Sequence, residues 1–418
     1  MVSAMIDTEN EPNGQPKPAA GLHRQLPPQD ALPDEPAHRP GMNGLAEAQS
    51  PFHDKARHGI LPRSAETAEP NGLYGALDLG TNNCRLIIVR AGPRGLTIVD
   101  SFSRIIRLGE GLGKTGMLSE AAIERALKAL AICAEKLRRA GVRRARLIAT
   151  EACRVAANGA EFIARVERET GLRLEIISRE IEARLAVAGC ASLLDRRSDW
   201  ALVFDIGGGS SELIWLDLRG FRSNAMHHPA ERLRLLDHIV EWTSIPIGVV
   251  TLAERHGGRN VDAAVFDAMI AELDKHLRDF EQRTGMASLI NGHSVHMLGT
   301  SGTVTTLAGV HLGLPYYDRS KVDGCWLRVE DVRAISGRLL GMTYEQRVAE
   351  PCIGVERADL VLGGCAILEA VLRVWPCERL RVADRGLREG ILTSLMAEDG
   401  AAEQHRRRGR GHRKRGAR

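Results

Sequence analysis

The chain has 418 residues, of which 44% are hydrophobic, and a formal net charge of +4, so it is long enough for two or three domains with sizeable cores. No apolar run approaches the roughly 18 residues that span a membrane, and no signal peptide is apparent. The eight cysteines form no C-x-x-C pair, which argues against a zinc site or a disulfide framework. We therefore expect a cytoplasmic protein with reduced, buried thiols and no membrane contact.

Charge is distributed unevenly along the chain. Residues 406–418 contain eight Arg or Lys and no acid, so the first 405 residues carry a net charge of −4. We expect residues 398–418 to form a disordered basic tail, either merely solvated or in weak, salt-sensitive contact with a polyanion such as polyphosphate or RNA. Residues 1–72 are rich in Pro, Asn, Glu, Ala and His without a hydrophobic period, which predicts a disordered leader.

The first half of the ordered chain alternates strands and helices. A strand–turn–strand segment over residues 76–89 comes first. The hydrophobic periods then predict a strand near 96–106, a helix capped by Ser119 that runs to about 140, a strand over 146–150, a helix over 161–169, a strand over 174–177 and a helix over 180–194. This alternation is typical of an α/β fold.

A second strand–turn–strand segment carries a glycine-rich turn, Asp205-Ile206-Gly207-Gly208-Gly209-Ser210-Ser211-Glu212. Three consecutive glycines allow a tight turn whose backbone N–H groups approach phosphate oxygens. Asp205, at the end of the first strand, suits a metal ion that bridges phosphates. Taken alone, the stretch is equally typical of a hairpin that needs glycines for steric reasons.

The two hairpins are copies of one another. Residues 76–89 align without gaps on residues 203–216, so that Asp78 matches Asp205 and Gly80 matches Gly207. An internal duplication predicts two similar lobes. Two such hairpins facing each other across one cleft would hold a phosphate chain together with a divalent metal ion.

The second lobe is predicted to continue with a strand over 220–226 and helices over 262–283, 330–340, 358–374 and 387–396. Between them, residues 296–304 predict a strand, a glycine turn and the start of a helix. Because a helix N-terminus attracts anions, this turn is a third candidate phosphate loop, with Gly299, Ser301, Gly302 and Thr303 as its contacts.

Five segments in this order resemble a known family: Asp78-Leu79-Gly80-Thr81-Asn82, Glu182-Ala183-Arg184-Leu185, Asp205 to Ser210, Gly299 to Thr303, and Asp384-Arg385-Gly386-Leu387-Arg388-Glu389-Gly390. The chain resembles the exopolyphosphatase / guanosine pentaphosphate phosphohydrolase family over residues 74–397. The resemblance implies two duplicated ribonuclease H-like lobes of the actin and sugar kinase superfamily around a central cleft. We place the lobes at residues 73–187 and 188–397, with the last helix packing back on the first lobe.

The resemblance also implies an activity and a set of residue roles. Family members use Mg²⁺ to cleave the terminal phosphate from inorganic polyphosphate or the 5′ γ-phosphate from guanosine pentaphosphate. Glu182 would be the general base that activates water, and Arg154 would clamp phosphate oxygens. Asp78, Asp205 and Glu212 would hold the metal. The two hairpins would bind phosphate through Gly80, Thr81, Asn82, Gly207, Gly208, Gly209, Ser210 and Ser211.

Without the resemblance, several of these residues have ordinary explanations. Glu182 would be a surface acid on a helix, Arg154 a surface arginine, and Arg85, which matches Glu212 in the repeat, a support for the first hairpin. The chain also departs from the family pattern. Ile181 stands where members often carry a second acid, and Arg385 stands where many have glycine. It resembles the short, two-lobed members, so processive binding of long polyphosphate is not implied.

Polyphosphate hydrolysis is therefore the leading hypothesis for function, with guanosine pentaphosphate as the alternative substrate. A kinase or ATPase of the same superfamily is less favoured, because no sugar-binding segment is apparent. A regulator that binds guanosine tetra- or pentaphosphate without turnover is the non-enzymatic alternative. Two-lobed proteins of this kind often pair, and we expect a homodimer.

Overall fold

The structure is a computed structural model that describes residues 72–92, 95–195, 197–221, 226 and 228–400. Almost all of the predicted leader lies outside these residues, as does the basic tail from residue 401 onwards. Residues 398–400 were assigned to the tail, but they continue the last helix. All eight cysteines lie within the described residues, and all are free thiols. Across the same residues, no helix is both long and apolar enough to cross a bilayer.

The first lobe is built on a five-stranded sheet. Its strands are β1 (Leu73–Leu79), β2 (Asn83–Gly92), β3 (Gly95–Ile105), β4 (Arg144–Ala149) and β5 (Glu175–Ile176), in the spatial order β3-β2-β1-β4-β5. The first three strands pair antiparallel, whereas β4 and β5 run parallel to β1. The central strand β1 is apolar on both faces because helices cover it, as is usual for parallel strands.

Five helices belong to this part of the chain: α1 (Leu112–Thr115), α2 (Glu120–Arg139), α3 (Glu151–Val155), α4 (Gly159–Thr170) and α5 (Arg179–Cys190). The Ser119 hydroxyl accepts a hydrogen bond from Ala122 N, so the predicted N-cap of α2 is confirmed. The apolar face of α2 packs on the sheet and buries side chains at helical spacing: Ala122, Ala126, Leu130, Cys133 and Leu137.

The second lobe repeats this arrangement. Its strands are β6 (Trp200–Ile206), β7 (Ser211–Asp217), β8 (Ile239–Ile245), β9 (Val295–Thr300), β10 (Trp326–Arg328) and β11 (Arg379–Ala383), in the order β10-β11-β9-β6-β7-β8. From β8 to β11 the order and directions match those of the first sheet, and β10 is an additional antiparallel edge strand. The predicted α/β fold with two duplicated ribonuclease H-like lobes is confirmed.

Helices cover the second sheet: α6 (Pro229–Arg234), α7 (Val249–His256), α8 (Ala263–Thr284), α9 (Ala287–Ile290), α10 (Ser301–His311), α11 (Arg319–Val322), α12 (Val329–Leu340), α13 (Tyr344–Ala349) and α14 (Val361–Val374). Trp375 lies in this core, edge-on to both Trp215 and Phe280. The strand predicted over residues 220–226 lies largely outside the described residues, because 222–225 are not described. The strand that pairs with β7 on the other side from β6 is β8.

Two helices connect the lobes by crossing between them. Helix α5 follows the first sheet in sequence, but it packs on β6, β7 and β8 of the second. The last helix, residues 387–400, follows the second sheet and reaches the first, where Tyr74 donates to Asp399 at 3.0 Å and Arg144 pairs with Glu398. A β-carbon added at Gly390 would lie 2.0 Å from the Leu185 carbonyl oxygen, so the two crossing helices touch backbone to backbone.

Candidate active site

Both glycine-turn hairpins open into one cavity between the sheets. Asp78 of the first hairpin and Asp205 of the second line the same space, together with Glu182 from the crossing helix α5. The cavity has about 770 Å³ of empty volume, counted to its open mouth. The duplicated carboxylates therefore face a single cleft, and Glu182 lies inside it.

The two hairpins have the same backbone. Gly80 N donates to Asn83 O at 2.9 Å in the first, and Gly207 N donates to Ser210 O at 2.9 Å in the second. Each aspartate lies at the end of its first strand and pairs in register with the repeat-related residue of the next strand. Asp78 stands opposite Arg85, and Asp205 stands opposite Glu212. The two hairpins thus differ in side-chain charge while sharing one turn.

The hairpins touch each other, which explains the glycines of the second turn. A β-carbon added at Gly209 would lie 2.7 Å from Thr81 Oγ1, and one at Gly208 would lie 3.2 Å from Asn82 N. Both distances are shorter than ordinary contacts, so any larger residue would push the first hairpin away. The glycine run therefore permits close approach of the two lobes as well as a tight turn.

Glu182 lies in the first turn of α5, where Ser178 caps the helix by accepting from Ile181 N. Its carboxylate accepts a hydrogen bond from Arg154 Nη2 at 3.0 Å, and only 13% of the side chain is exposed. Burial and the nearby Glu212 carboxylate raise the pKa of Glu182 well above its usual range, although Arg154 opposes the shift. A carboxylate with a raised pKa accepts a proton more readily near neutral pH.

Arg154 does not line the cavity itself but is held behind Glu182. Its guanidinium also donates to the Ile177 carbonyl oxygen at 2.6 Å and to Glu151, which bonds Arg179 as well. Burial alone would raise the pKa of Glu151, but the hydrogen bonds from Arg179 and Arg154 lower it, so this carboxylate stays ionised. This network fixes the orientation of Arg154 toward Glu182.

The remaining carboxylates of the cleft are also buried. Burial and the nearby Asp78 raise the pKa of Asp205 to about 6, and burial with the nearby Asp205 raises the pKa of Glu212 to about 7. The pKa of Asp78 is raised by burial, against the attraction of Arg85. Like charges on buried carboxyl groups repel one another, so the cleft favours a bound cation.

The fit of this carboxylate set to a metal ion is partial. Within the described ranges, no three Asp, Glu, His or Cys side chains lie close enough together to ligate one ion. Asp205 Oδ1, however, is buried without a hydrogen-bond partner. Mg²⁺ commonly takes one or two carboxylates and completes its shell with water and substrate oxygens, so the donors present fit that ion.

Five predicted site residues do not line the cavity. They are Arg154, described above, and Ser211, Gly299, Gly302 and Thr303. The Ser211 hydroxyl donates to the Ile247 carbonyl oxygen at 2.8 Å on the opposite face of β7 from Glu212. Gly299 packs against the Phe204 ring, and Thr303 is buried against Gly364. The third candidate loop therefore contributes Thr300 and Ser301 rather than the residues on either side of them.

Ser301 has a left-handed backbone, with φ of 76°, at the first position of α10. Non-glycine residues adopt this conformation at a cost of about 1–2 kcal/mol, so the surrounding structure imposes it. The Ser301 side chain lies near Asp205 and lowers the pKa of that carboxyl, although burial raises it by more. The loop thereby places a hydroxyl beside the second hairpin.

Other cavity-lining residues were not assigned a role from the sequence. The turn 384–389, which includes the first residues of the last helix, lines the cavity with all six of its residues. Arg85, Asn83, Thr150 and Glu151 also contribute. The turn belongs to one of the motifs that suggested the family, and Arg85 matches Glu212 in the repeat, so both carried a signal. Burial lowers the pKa of Arg388, which the nearby Glu389 opposes.

Comparison with known proteins adds to this geometry. A sequence profile of the Ppx/GppA phosphatase family matches residues 87–399. The crystal structure of an Aquifex aeolicus member of that family is 28% identical, with a TM-score of 0.62, and the match covers 78% of this chain and 98% of that one. An exopolyphosphatase-like protein is 30% identical, with a TM-score of 0.67 and coverages of 78% and 99%. An exopolyphosphatase from Cytophaga hutchinsonii, 23% identical with a TM-score of 0.66 and coverages of 78% and 98%, shares the fold.

Proposed function

The chain belongs to the Ppx/GppA phosphatase family, and on that premise we propose that it hydrolyses the terminal phosphoanhydride of inorganic polyphosphate and releases orthophosphate. The observation that supports this most is the position of Glu182. This buried carboxylate lies in a cleft between the two hairpins that we expect to bind phosphate, and it accepts a hydrogen bond from Arg154. A water molecule beside Glu182 would stand opposite a phosphate bound by the turns.

In this mechanism, Glu182 orients the attacking water and accepts its proton. Proton transfer to a positioned carboxylate contributes about 10²–10⁴-fold in rate. Backbone N–H groups of residues 81–82 and 208–210 bind the oxygens of the terminal phosphate, since those of Gly80 and Gly207 close the turns. Arg85 and Arg388 line the same cavity and offset the negative charge of the phosphate chain.

We also propose that Asp205 and Glu212, with Asp78 nearby, hold Mg²⁺. When bound, the ion would neutralise charge on the phosphoanhydride and on the buried carboxylates. Asp205 is the strongest candidate among the three, because its Oδ1 is buried and unpartnered. Glu212 is oriented by Ser244, whose hydroxyl donates to its Oε1 at 2.8 Å.

The test is a phosphate-release assay on the purified protein with short polyphosphate, long polyphosphate, guanosine pentaphosphate and ATP, each with and without Mg²⁺. We expect Mg²⁺-dependent release that is fastest from polyphosphate. Faster release from guanosine pentaphosphate would assign the nucleotide as the substrate. Binding of guanosine pentaphosphate by calorimetry with no release from any substrate would favour a non-catalytic regulator and overturn the proposal.

A further inference from the structure

Arg385 is a cation at the edge of the cleft that the mechanism above does not use. It lines the cavity and 32% of its side chain is exposed. Its partner, Asp323, lies behind it, is only 10% exposed and does not line the cavity. The acid is therefore shielded from anything in the cleft, whereas the arginine is accessible to it.

The Arg385 guanidinium keeps unused hydrogen-bond donors. Its Nε and Nη2 donate to the Asp323 carboxylate, and its Nη1 donates to Ser192 Oγ at 3.1 Å. A guanidinium has five N–H groups, one on Nε and two on each Nη. One N–H on each Nη therefore has no partner among the described residues. Free N–H groups on both Nη atoms of a charged, planar guanidinium can donate to the oxygens of a phosphate group.

The backbone that carries Arg385 is fixed independently of its side chain. The Arg385 carbonyl oxygen accepts from Thr300 Oγ1 at 2.8 Å and from Cys190 Sγ at 2.9 Å. Asp384 N donates to Asp323 Oδ1 at 3.0 Å. A β-carbon added at Gly189 would lie 1.9 Å from the Gly386 carbonyl oxygen, so helix α5 packs directly on the turn. The side chain is thus presented from a rigid support and is not needed to form it.

We propose that Arg385 is an anion-binding residue for a phosphate group of the substrate other than the one that is cleaved, with Asp323 as its resident counterion. This inference rests on the proposed function and extends it. Glu182 and the hairpins act on the terminal phosphate, while Arg385 binds a phosphate further along the same chain. Asp323 moderates this binding, because in its absence the full positive charge of Arg385 would face the cleft.

The assignment predicts opposite effects of the two partners. Arg385→Gln should raise the KM for tripolyphosphate about tenfold, which corresponds to the loss of one good charge-assisted contact. Asp323→Asn should lower that KM several-fold, since asparagine can still accept from Asp384 N but no longer neutralises the arginine. In both variants the change should be larger in KM than in kcat. Arg385→Lys should restore part of the affinity.

A merely structural role gives a different pattern. If the pair serves only to hold the turn 384–389, both variants should lower kcat and the melting temperature, and neither should lower KM. That result would overturn the proposal. The matched control is the pair Arg219–Asp217, which is also bidentate but does not line the cavity. Asp217→Asn and Arg219→Gln should leave KM unchanged.

A binding measurement separates this inference from the proposed function. Tripolyphosphate is titrated calorimetrically into wild type, Arg385→Gln and Asp323→Asn, without Mg²⁺ and with turnover monitored. If wild type releases no phosphate from any substrate but its affinity for tripolyphosphate still falls in Arg385→Gln and rises in Asp323→Asn, the hydrolase proposal fails and the anion site stands. If the three affinities are equal, the anion site is excluded whatever the activity.

Discussion

The two hairpins that face each other across the cleft share one turn geometry but carry residues of opposite charge at one matched position. In each, a strand ends at an aspartate, a turn closes through a 2.9 Å hydrogen bond, and the next strand places one charged residue opposite that aspartate. In the first hairpin that residue is Arg85, and in the second it is Glu212. A duplicated scaffold has thus diverged into one side with a cation available to anions and another side rich in acids.

This difference indicates how the charges of the reaction are divided. The first hairpin, with Arg85 and with Arg388 nearby, suits the negatively charged phosphate chain. The second hairpin, with Asp205 and Glu212, suits a cation. Neither side carries the group that would activate water, because Glu182 comes from a helix that leaves the first lobe and packs on the second. The two halves of the site are similar, but helix α5 makes the site asymmetric by adding Glu182.

The largest effect is expected from replacing Glu182, the proposed general base. Glu182→Gln keeps the shape of the side chain but cannot accept a proton, so phosphate release should fall about 10²–10⁴-fold with little change in melting temperature. Glu180→Gln is the matched control, since Glu180 lies on the same helix and is exposed. Release by Glu182→Gln at the wild-type rate would show that the base is another residue.

A glycine supporting each hairpin provides the next comparison. A β-carbon at Gly248 would lie 2.4 Å from the carbonyl carbon and oxygen of Gly208, which are backbone atoms, whereas the nearest atom to one at Gly109 is a side-chain methyl, Thr81 Cγ2. Gly248→Ala should therefore displace the second turn and lower kcat about 10²-fold, as expected for a misplacement near 1 Å. Gly109→Ala should lower kcat by a smaller factor.

The control for both substitutions is Gly337→Ala. Gly337 lies in α12 with no atom close to an added β-carbon, so alanine there should stabilise the protein by about 1 kcal/mol and leave activity unchanged. Equal kinetic losses in Gly248→Ala and Gly109→Ala would mean that the two turns are supported alike, contrary to the geometry.

Neutralising the two matched positions tests the division of charge directly. Arg85→Gln should raise the KM for polyphosphate about tenfold and leave the Mg²⁺ concentration for half-maximal rate unchanged. Glu212→Gln should do the reverse, raising the Mg²⁺ requirement with a smaller change in KM. The measurement is phosphate release over a grid of substrate and Mg²⁺ concentrations. Identical shifts in both variants would remove the proposed division.

Much of this site could be predicted from the sequence because it resides in local patterns. The gap-free repeat located both hairpins, and the cap of α2 followed from Ser119. Ser211 was predicted to contact phosphate, but it does not line the cavity because of its position in the strand. Successive strand residues point to opposite faces, so with Glu212 in the cleft its neighbour Ser211 must face away.

Other features depend on contacts between distant segments and carried no local signal. Gly248 matters only because the start of α7 abuts the second turn, and Glu151 matters because two arginines 25 residues apart converge on it. Strand β8 was not predicted from the sequence, and its place in the sheet comes from its pairing with β7. Tertiary packing, and not propensity, selects such residues.

The last expected effect is on the pH dependence of stability, and it should differ in sign between the hairpins. The pKa of Glu212 is raised to about 7 by burial and by Asp205, so between pH 4.5 and 7 the folded protein binds a proton that the unfolded chain has released. Stability from this group is therefore present below about pH 4.5 and lost as the pH rises to 7. In Glu212→Gln, which cannot ionise, that loss is absent.

The measurement is the melting temperature of each variant relative to wild type, from pH 5 to 8 in EDTA. Glu212→Gln should match wild type near pH 5 and exceed it at pH 8, by a free energy on the order of 3 kcal/mol. Arg85→Gln should fall below wild type as the pH rises, because ionised Asp78 then loses the charge that opposes its burial. If the melting temperatures of both variants relative to wild type changed with pH in the same direction, the proposed difference between the hairpins would be contradicted. Opposite charges at the matched positions should make the two changes opposite in sign.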